Sequence, residues 1–142
     1  MTNHFFVSRS STPRSEEDWK EFFHFNMWRV RLWPLKEVKE QDRLLWYDTK
    51  MKRLTWETEI VLIDGFDYKT VESAVRRLRK HFGDTDLDQP YIRGRPEPGY
   101  CLAYRSDPVR RLDLPAPEGF KMPMLGWLRA DDTWRNTWAK QI

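Results

Sequence analysis

The sequence predicts an α+β domain built on a small, mixed or antiparallel β-barrel that is flanked by helices. Three observations support this fold class. Residues 43–48 are predicted to form an aromatic-rich strand, and apolar residues recur at every second position along 53–64. Only four residues separate these two segments, which is typical of a hairpin. Residues 71–82 carry apolar side chains at helical spacing. A chain of 142 residues corresponds to a single domain, 1–142.

The composition favours an aromatic-rich core and excludes several classes of protein. Hydrophobic residues make up 39% of the chain, with eight tryptophans and a mean hydropathy of −0.82. The net charge of +3 is too small for a histone-like protein, so any phosphate binding would be local. One cysteine and three histidines leave no internal disulfide and no cysteine-rich zinc site.

No apolar run approaches the roughly 18 residues of a membrane span, and no secretory signal is visible. We therefore expect a cytoplasmic protein without a membrane partner. The chain contains no phosphate-binding P-loop, no glycine-rich dinucleotide turn and no zinc-protease motif. We accordingly expect no cofactor and no metal ion.

The N-terminal elements begin with a short strand over residues 4–8. Ser15 is a good N-cap for a helix whose first turn is acidic. The partly helical spacing of Trp19, Phe22 and Phe23 predicts that this helix continues to near Trp28. The dipeptide at 33–34, Trp-Pro, then imposes an extended break.

The central hairpin consists of a strand over 43–48, a turn over 49–52 and a return strand from 53 to about 64. Alternation places five side chains of the return strand on one face: Leu54, Trp56, Thr58, Ile60 and Leu62. The dipeptide Asp64-Gly65 is predicted to end this strand.

The C-terminal half begins with a helix that has Thr70 as N-cap and Gly83 just past its end. A long loop follows over 84–99. Strands are predicted over 100–105 and, as a short edge strand, over 109–114. Trp134 and Trp138 are four residues apart, as on one helix face.

Adjacent aromatic residues at 46 and 47 suggest a binding surface. Neighbouring strand residues point to opposite faces, so Trp46 and Tyr47 cannot share one ordinary core. One of them is expected to line a pocket, where a flat ring can stack on a nucleobase. The competing interpretation is an aromatic core. The candidate pocket residues are Trp28, Trp46, Tyr47, Trp56 and Trp127.

Basic residues form two candidate phosphate-binding groups. The first surrounds the aromatic strands and comprises Arg29, Arg31, Arg43, Lys50, Lys52 and Arg53. The second lies on the predicted helix and comprises Arg76, Arg77, Arg79 and Lys80. For the helix, a solvated face balanced by nearby acids is the favoured interpretation.

The sequence predicts no catalytic residues. His4, His24 and His81 lie on different elements, with no nucleophile at a fitting position. Cys101 falls in a predicted strand and is expected to be a buried, inert thiol. Glu57 and Glu59 share a strand face, as exposed carboxylates commonly do.

Three segments give the chain a resemblance to the PUA-like superfamily, most closely to its EVE-type branch, which is related to the ASCH and YTH domains. These segments are Phe5-Phe6-Val7-Ser8, Trp28-Arg29-Val30-Arg31 and the stretch 41–49 (QDRLLWYDT). The likeness covers residues 4–64. The chain departs from the family pattern at Arg29 and Gln41, where the family has glycine, and at Asp48-Thr49, where it has His-Ser.

The resemblance implies a small barrel whose pocket receives a flipped-out, often modified, nucleobase. Ser8, Asp48 and Thr49 would then read the base edge through hydrogen bonds. Arg29, Arg31, Lys50, Lys52 and Arg53 would position phosphates. The partner is DNA or RNA carrying a modified base, with a possible nuclease or processing enzyme in the same system.

Two alternatives remain open at this stage. Some ASCH-type relatives hydrolyse modified nucleosides, and an enzyme of that kind would use Glu57 or Glu59 here. A protein-interaction module would instead use Trp134 and Trp138 as its anchor.

Overall fold

The computed structural model describes residues 5–10, 19, 23–83, 92, 94–116, 118–122 and 125–129. They form a curled, mixed six-stranded sheet with two helices, a half-barrel consistent with the predicted fold class. The elements are β1 (Phe5–Ser10), β2 (His24–Trp28), α1 (Pro34–Glu37), β3 (Arg43–Asp48), β4 (Arg53–Tyr68), α2 (Val71–Phe82), β5 (Gly99–Pro115) and β6 (Trp127–Arg129).

The strand order across the sheet is β2-β5-β4-β3-β1-β6. β1 and β3 are parallel, whereas the other neighbouring pairs in this described sheet are antiparallel. β2 and β6 therefore form the two edges. The concave side, called the inner face below, carries most of the tryptophans, and α2 packs on the opposite, outer face.

The predicted strand over 43–48 and the turn after it are confirmed. This turn forms without an Asn-Gly pair because the Asp48 side chain organises it. The Asp48 Oδ1 atom accepts hydrogen bonds from the backbone N–H groups of Lys50 and Met51, at 2.8 and 2.9 Å. Lys52 adopts a left-handed conformation with φ of 55°, and the return strand begins at Arg53.

β4 is longer than predicted and is interrupted by irregular pairing. It continues through Asp64-Gly65 to Tyr68. Gly65 allows α1 to approach closely, because a Cβ atom there would lie 3.0 Å from the Leu35 carbonyl oxygen. The prediction that one face of β4 carries every second side chain from Leu54 to Leu62 is also wrong. The pairing of β4 with β5 shifts after Leu54, after Glu57 and after Ile60.

The shifts after Leu54 and after Ile60 exchange the faces of the β4 residues beyond them, so the β4 side chains contribute to different cores. Leu54 packs on the outer face with Tyr47, whereas Trp56 and Ile60 pack on the inner face. Leu62 packs under α2. One strand thereby serves three hydrophobic clusters.

β5 is one continuous strand, which corrects the prediction of two strands at 100–105 and 109–114. Pro108 does not interrupt it. This proline pairs with Thr58 beside a register shift, where the ladder tolerates a residue without an N–H group. Residues 109–114 form the second half of this strand and pair with β4.

The prediction that the first helix continues to near Trp28 is also wrong, because residues 24–28 form the strand β2. Trp19 is helical, and residues 11–18 lie outside the described residues. Phe25 and Met27 point to the outer face, whereas Asn26 points inward. Short aromatic spacings of this kind suit a helix and a strand alike, and pairing with β5 selects the strand.

The predicted helix over 71–82 is confirmed. The Thr70 hydroxyl accepts a hydrogen bond from the Ser73 N–H at 3.1 Å, and Gly83 follows the helix with φ of 89°. Ala74, Leu78 and Phe82 are the buried positions. The short helix α1 was not predicted. No helix in the described part of the chain is long and apolar enough to cross a membrane.

Candidate functional site

Four of the eight predicted base-binding residues lie side by side on the inner face. Trp56 pairs with Trp46, Trp46 with Ser8, and Ser8 with Trp127. Paired residues on neighbouring strands project from the same face. These four side chains therefore form one cross-sheet row, which is called the inner row below.

Two hydrogen bonds fix the indole rings of the inner row. The Trp46 Nε1–H group donates to the Thr58 hydroxyl at 2.9 Å. The Trp127 Nε1–H group donates to the Asn26 Oδ1 atom at 3.1 Å. The rings are thus held at defined angles, because buried indole N–H groups need an acceptor.

A fourth ring covers the centre of the inner row. The Trp19 ring centroid is 4.5 Å from that of Trp46 and 6.1 Å from that of Trp56. His24 completes the enclosure at 4.9 Å from Trp46. Trp46 is consequently only 4% exposed, and the face of its ring accommodates a bicyclic aromatic group.

Two further buried hydroxyl groups, besides that of Thr58, accompany the rings. Ser8 lies between Trp46 and Trp127 and is 4% exposed. Ser106, which pairs with Ile60 of the inner cluster, is fully buried. Its Oγ atom has no hydrogen-bond partner among the described residues. A buried hydroxyl in an aromatic environment can recognise a polar group of a ligand.

The other predicted base-binding residues of β3 and its turn lie apart from the inner row. Tyr47 points to the outer face, where its ring meets Phe120 edge-on at 5.0 Å. Both Trp46 and Tyr47 are buried, each in a separate core, so the sheet is covered on both sides at β3. Burial, together with the nearby Asp48 carboxylate, raises the pKa of Tyr47. Asp48 and Thr49 belong to the hairpin turn.

Trp28 is at the opposite end of the sheet. It pairs with Tyr100 at the start of β5, whereas the inner row is level with Arg111 near the end of β5. Trp28 is partly buried against the edge of the inner cluster. Trp28 thus lies outside the paired inner row, although it packs against the cluster that contains Trp46, Trp56 and Trp127.

The predicted phosphate-binding residues form two groups, one at the hairpin turn and one beyond Trp28. Lys50 and Lys52 are exposed in the hairpin turn, near the inner row, and Arg53 forms an ion pair with Asp113 at 2.6 Å. Arg29 and Arg31 are exposed beyond Trp28. Along β5, the position opposite Trp28 is Tyr100 and the position opposite Arg53 is Pro115, so the two groups lie at opposite ends of that strand.

Arg111 is a basic residue of the site that the sequence did not reveal. It pairs with Trp56, and its guanidinium carbon lies 5.2 Å from the centroid of that indole ring. Only the register between β4 and β5 shows this proximity. Because that register shifts between Leu54 and Trp56, counting along the two strands does not predict it.

The carboxylates that a hydrolase was expected to use are engaged elsewhere. Glu57 is buried and lies on the outer face, where its oxygens accept hydrogen bonds from Arg43 and Arg110 at 2.9 and 3.0 Å. Arg43 also lies 3.7 Å from Glu59. These contacts form a structural ion cluster on the side of the sheet opposite the inner row.

The described residues contain no group of three or more His, Cys, Asp or Glu side chains that could hold a metal ion. Cys101 is fully buried, and burial raises its pKa to about 12, so the thiol stays protonated at neutral pH. Trp134 and Trp138 lie outside the described residues.

No protein-family model and no curated protein match the sequence. Among solved structures, the chain is similar to ASCH from Zymomonas mobilis, with a TM-score of 0.57 and 15% identity over 94% of this chain and 92% of that one. A tyrosine-to-phenylalanine variant of the same protein gives 0.56 and 14%, over 94% and 95%. A serine-to-alanine variant gives 0.56 and 15%, over 94% and 93%. The likeness is one of fold.

Proposed function

We propose that this protein is a nucleic-acid-binding domain of PUA-like, EVE-type character that holds a flipped-out, modified nucleobase and has no enzymatic activity. The inner row is the observation that carries the proposal. It gathers three indole rings and the Ser8 hydroxyl in one register, at the same end of the sheet as the exposed Lys50 and Lys52. The ASCH-like fold supports a PUA-like architecture for the site.

The base would stack on Trp46 in the place that the Trp19 indole occupies in this structure. The Trp19 ring lies 4.5 Å from that of Trp46 at an interplanar angle of 43°, and Trp56 and His24 enclose it. A purine has nearly the size and shape of an indole, so the enclosure matches a base. Stacking on an aromatic side chain contributes about 1–3 kcal/mol per base, comparable to the cost of unstacking it from a helix.

Polar recognition would come from Ser8, which is buried between two rings of the inner row. A hydroxyl there can donate to a ring nitrogen or accept from an exocyclic amino group. Lys50 and Lys52 would contact the backbone phosphates outside the pocket. A partner nuclease or processing enzyme would act on the nucleic acid that the domain selects, in the cytoplasm.

The structure favours this function over a nucleoside hydrolase that uses Glu57. The Glu57 carboxylate lies on the outer face and already accepts hydrogen bonds from two arginines. It is therefore not placed to transfer a proton to a base held on the inner row.

The test is a titration of intrinsic tryptophan fluorescence with short DNA and RNA oligonucleotides, plain or with modified cytosine or adenine, at two salt concentrations. We expect one modified oligonucleotide to quench much more strongly than the others at both salt concentrations. Trp46→Phe should lower its affinity roughly tenfold, because the smaller ring stacks less well. Tyr47→Phe, on the opposite face, is the matched control and should bind like wild type.

Urea unfolding of both variants separates lost binding from lost folding. Equal, strongly salt-dependent binding of every oligonucleotide would reduce the protein to a phosphate-binding surface. If the folded Trp46→Phe and Tyr47→Phe variants bind with the same affinity, the inner row is not the binding site.

A further inference from the structure

We infer that Arg111 binds the phosphate of the nucleotide whose base occupies the inner row, so that the site takes a phosphorylated nucleotide unit rather than a free base. This inference rests on the proposed function and deepens it. Arg111 is level with the inner row on the neighbouring strand, and its guanidinium lies over the Trp56 ring.

The partners of the surrounding arginines distinguish Arg111 from them. Arg110, the preceding residue, donates to the buried Glu57 carboxylate on the outer face. Arg53 forms an ion pair with Asp113, and Arg43 with Glu57. Arg111 is exposed, and no acidic side chain in the described part of the chain forms an ion pair with it. Its charge therefore remains available to an anion.

The chemistry of the guanidinium group suits this position. A planar guanidinium can lie against an aromatic ring and still donate hydrogen bonds within its own plane. Contact with Trp56 limits the movement of the Arg111 side chain, while its N–H groups can form the paired hydrogen bonds that a phosphate accepts. The phosphate of a nucleotide is one sugar away from its base. A base on Trp46 would consequently place its phosphate near the rim of the row, where Arg111 lies.

The experiment compares wild type with Arg111→Ala, Arg111→Lys and Arg79→Ala. The ligand is the oligonucleotide that wild type binds most tightly in the fluorescence titration. Arg79 is the matched control, because it is an exposed arginine on α2, across the sheet from the inner row, with no described ion pair. Urea midpoints establish that each variant is folded.

We expect Arg111→Ala to weaken binding about tenfold and to lower the slope of log affinity against log salt by about 1, as the loss of one phosphate contact does. Arg111→Lys should keep the salt slope but bind more weakly, because an ammonium group cannot stack or donate in a fork. Arg79→Ala should leave both quantities unchanged.

Each contrary result has a separate meaning. If Arg111→Ala has the same affinity and the same salt slope as wild type, the inference is wrong and the proposed function still stands. Equal losses in Arg111→Ala and Arg79→Ala would also overturn it, because a general field effect would then explain both. If wild type binds no oligonucleotide, the proposed function fails and this inference fails with it.

Discussion

The indole N–H group of Trp127 donates a hydrogen bond to the side-chain oxygen of Asn26 at 3.1 Å, and this contact joins the two edges of the sheet. Trp127 belongs to β6 and Asn26 to β2, the first and last strands in the spatial order. Tyr104 of β5 supports the same contact, with its ring edge-on to Trp127 at 5.5 Å. The half-barrel is therefore bridged by side chains rather than by backbone pairing.

Replacing Asn26 with alanine should destabilise the protein by about 1–2 kcal/mol, because the Trp127 N–H group loses its acceptor in a largely buried place. Urea unfolding followed by circular dichroism measures the change. Asp107→Ala, an exposed position on β5, is the control and should stay within about 0.5 kcal/mol. Equal stability of the two variants would show that the edge contact contributes nothing.

Replacing Thr58 with valine should cost about 1–3 kcal/mol, since it removes the hydroxyl that accepts from Trp46 and leaves a buried N–H group unsatisfied. Thr58→Ser keeps that hydroxyl and loses one methyl group, so its cost should be about 1 kcal/mol. The comparison of urea midpoints isolates the hydrogen bond. A serine variant as unstable as the valine variant would assign the effect to packing instead.

Glu57→Gln should destabilise the fold by about 2 kcal/mol, because it leaves Arg43 and Arg110 without their shared counter-charge. This figure is reduced from that of a fully buried pair, since the arginine side chains are 26% and 44% exposed. Asp113→Asn breaks the exposed pair with Arg53 and should change stability by less than about 0.5 kcal/mol. Thermal unfolding at low and high salt distinguishes the two.

Cys101 should resist alkylation in the folded protein up to high pH. Burial raises its pKa from 9.0 to about 12, so the folded state favours the neutral thiol. The stability that this group contributes is therefore complete below pH 9 and is lost as the pH rises towards 12. Iodoacetamide labelling at pH 8 should be slow in buffer and rapid in urea. Rapid labelling of the folded protein would contradict the burial of this strand.

The two basic groups should differ in their effect on nucleic-acid binding. Lys50→Ala with Lys52→Ala removes charges near the inner row and should lower the salt slope by about 2. Arg29→Ala with Arg31→Ala removes the same charge at the other end of the sheet and should leave affinity for a short oligonucleotide unchanged. Titrations at several salt concentrations measure both slopes. Equal losses would mean that the nucleic acid spans the whole sheet.

Local sequence patterns are sufficient to predict an element when residues close in the chain determine its structure. The strand over 43–48 is a short run of bulky apolar residues between Arg43 and Asp48, and the helix over 71–82 carries its own N-cap in Thr70 and its own terminating Gly83. The sequence alone predicts these two elements at their observed positions, because their hydrogen bonds and caps are short-range.

Long-range pairing decides the elements that the sequence did not predict. The aromatic residues near Phe23 fit a helix by spacing, but pairing with β5 makes 24–28 a strand. Pro108 suggests a strand end, but the nearby register shift accommodates it. Neither effect is visible within a short window of residues.

The candidate site was predicted in part for the same reason. Residue type indicates Trp46, Trp56 and Trp127, the resemblance to a known family adds Ser8, and the sheet register brings the four together. Residue type does not show that Tyr47 points away, with a core of its own. It also does not show that Arg111 lies beside Trp56, which depends on an irregular pairing.

The register shifts of β4 have a consequence for how this chain can change during evolution. Removing Thr55, the extra residue of the first shift, would leave Leu54 and Trp56 adjacent on the faces that they already occupy. Removing Glu57 would instead bring Trp56 next to Thr58, and these two side chains could no longer both face inward. Single-residue deletions between Trp56 and Ile60 should therefore disrupt the aromatic core, whereas a deletion at Thr55 can be absorbed. The inner face thus depends on the number of residues in this segment as well as on their identities.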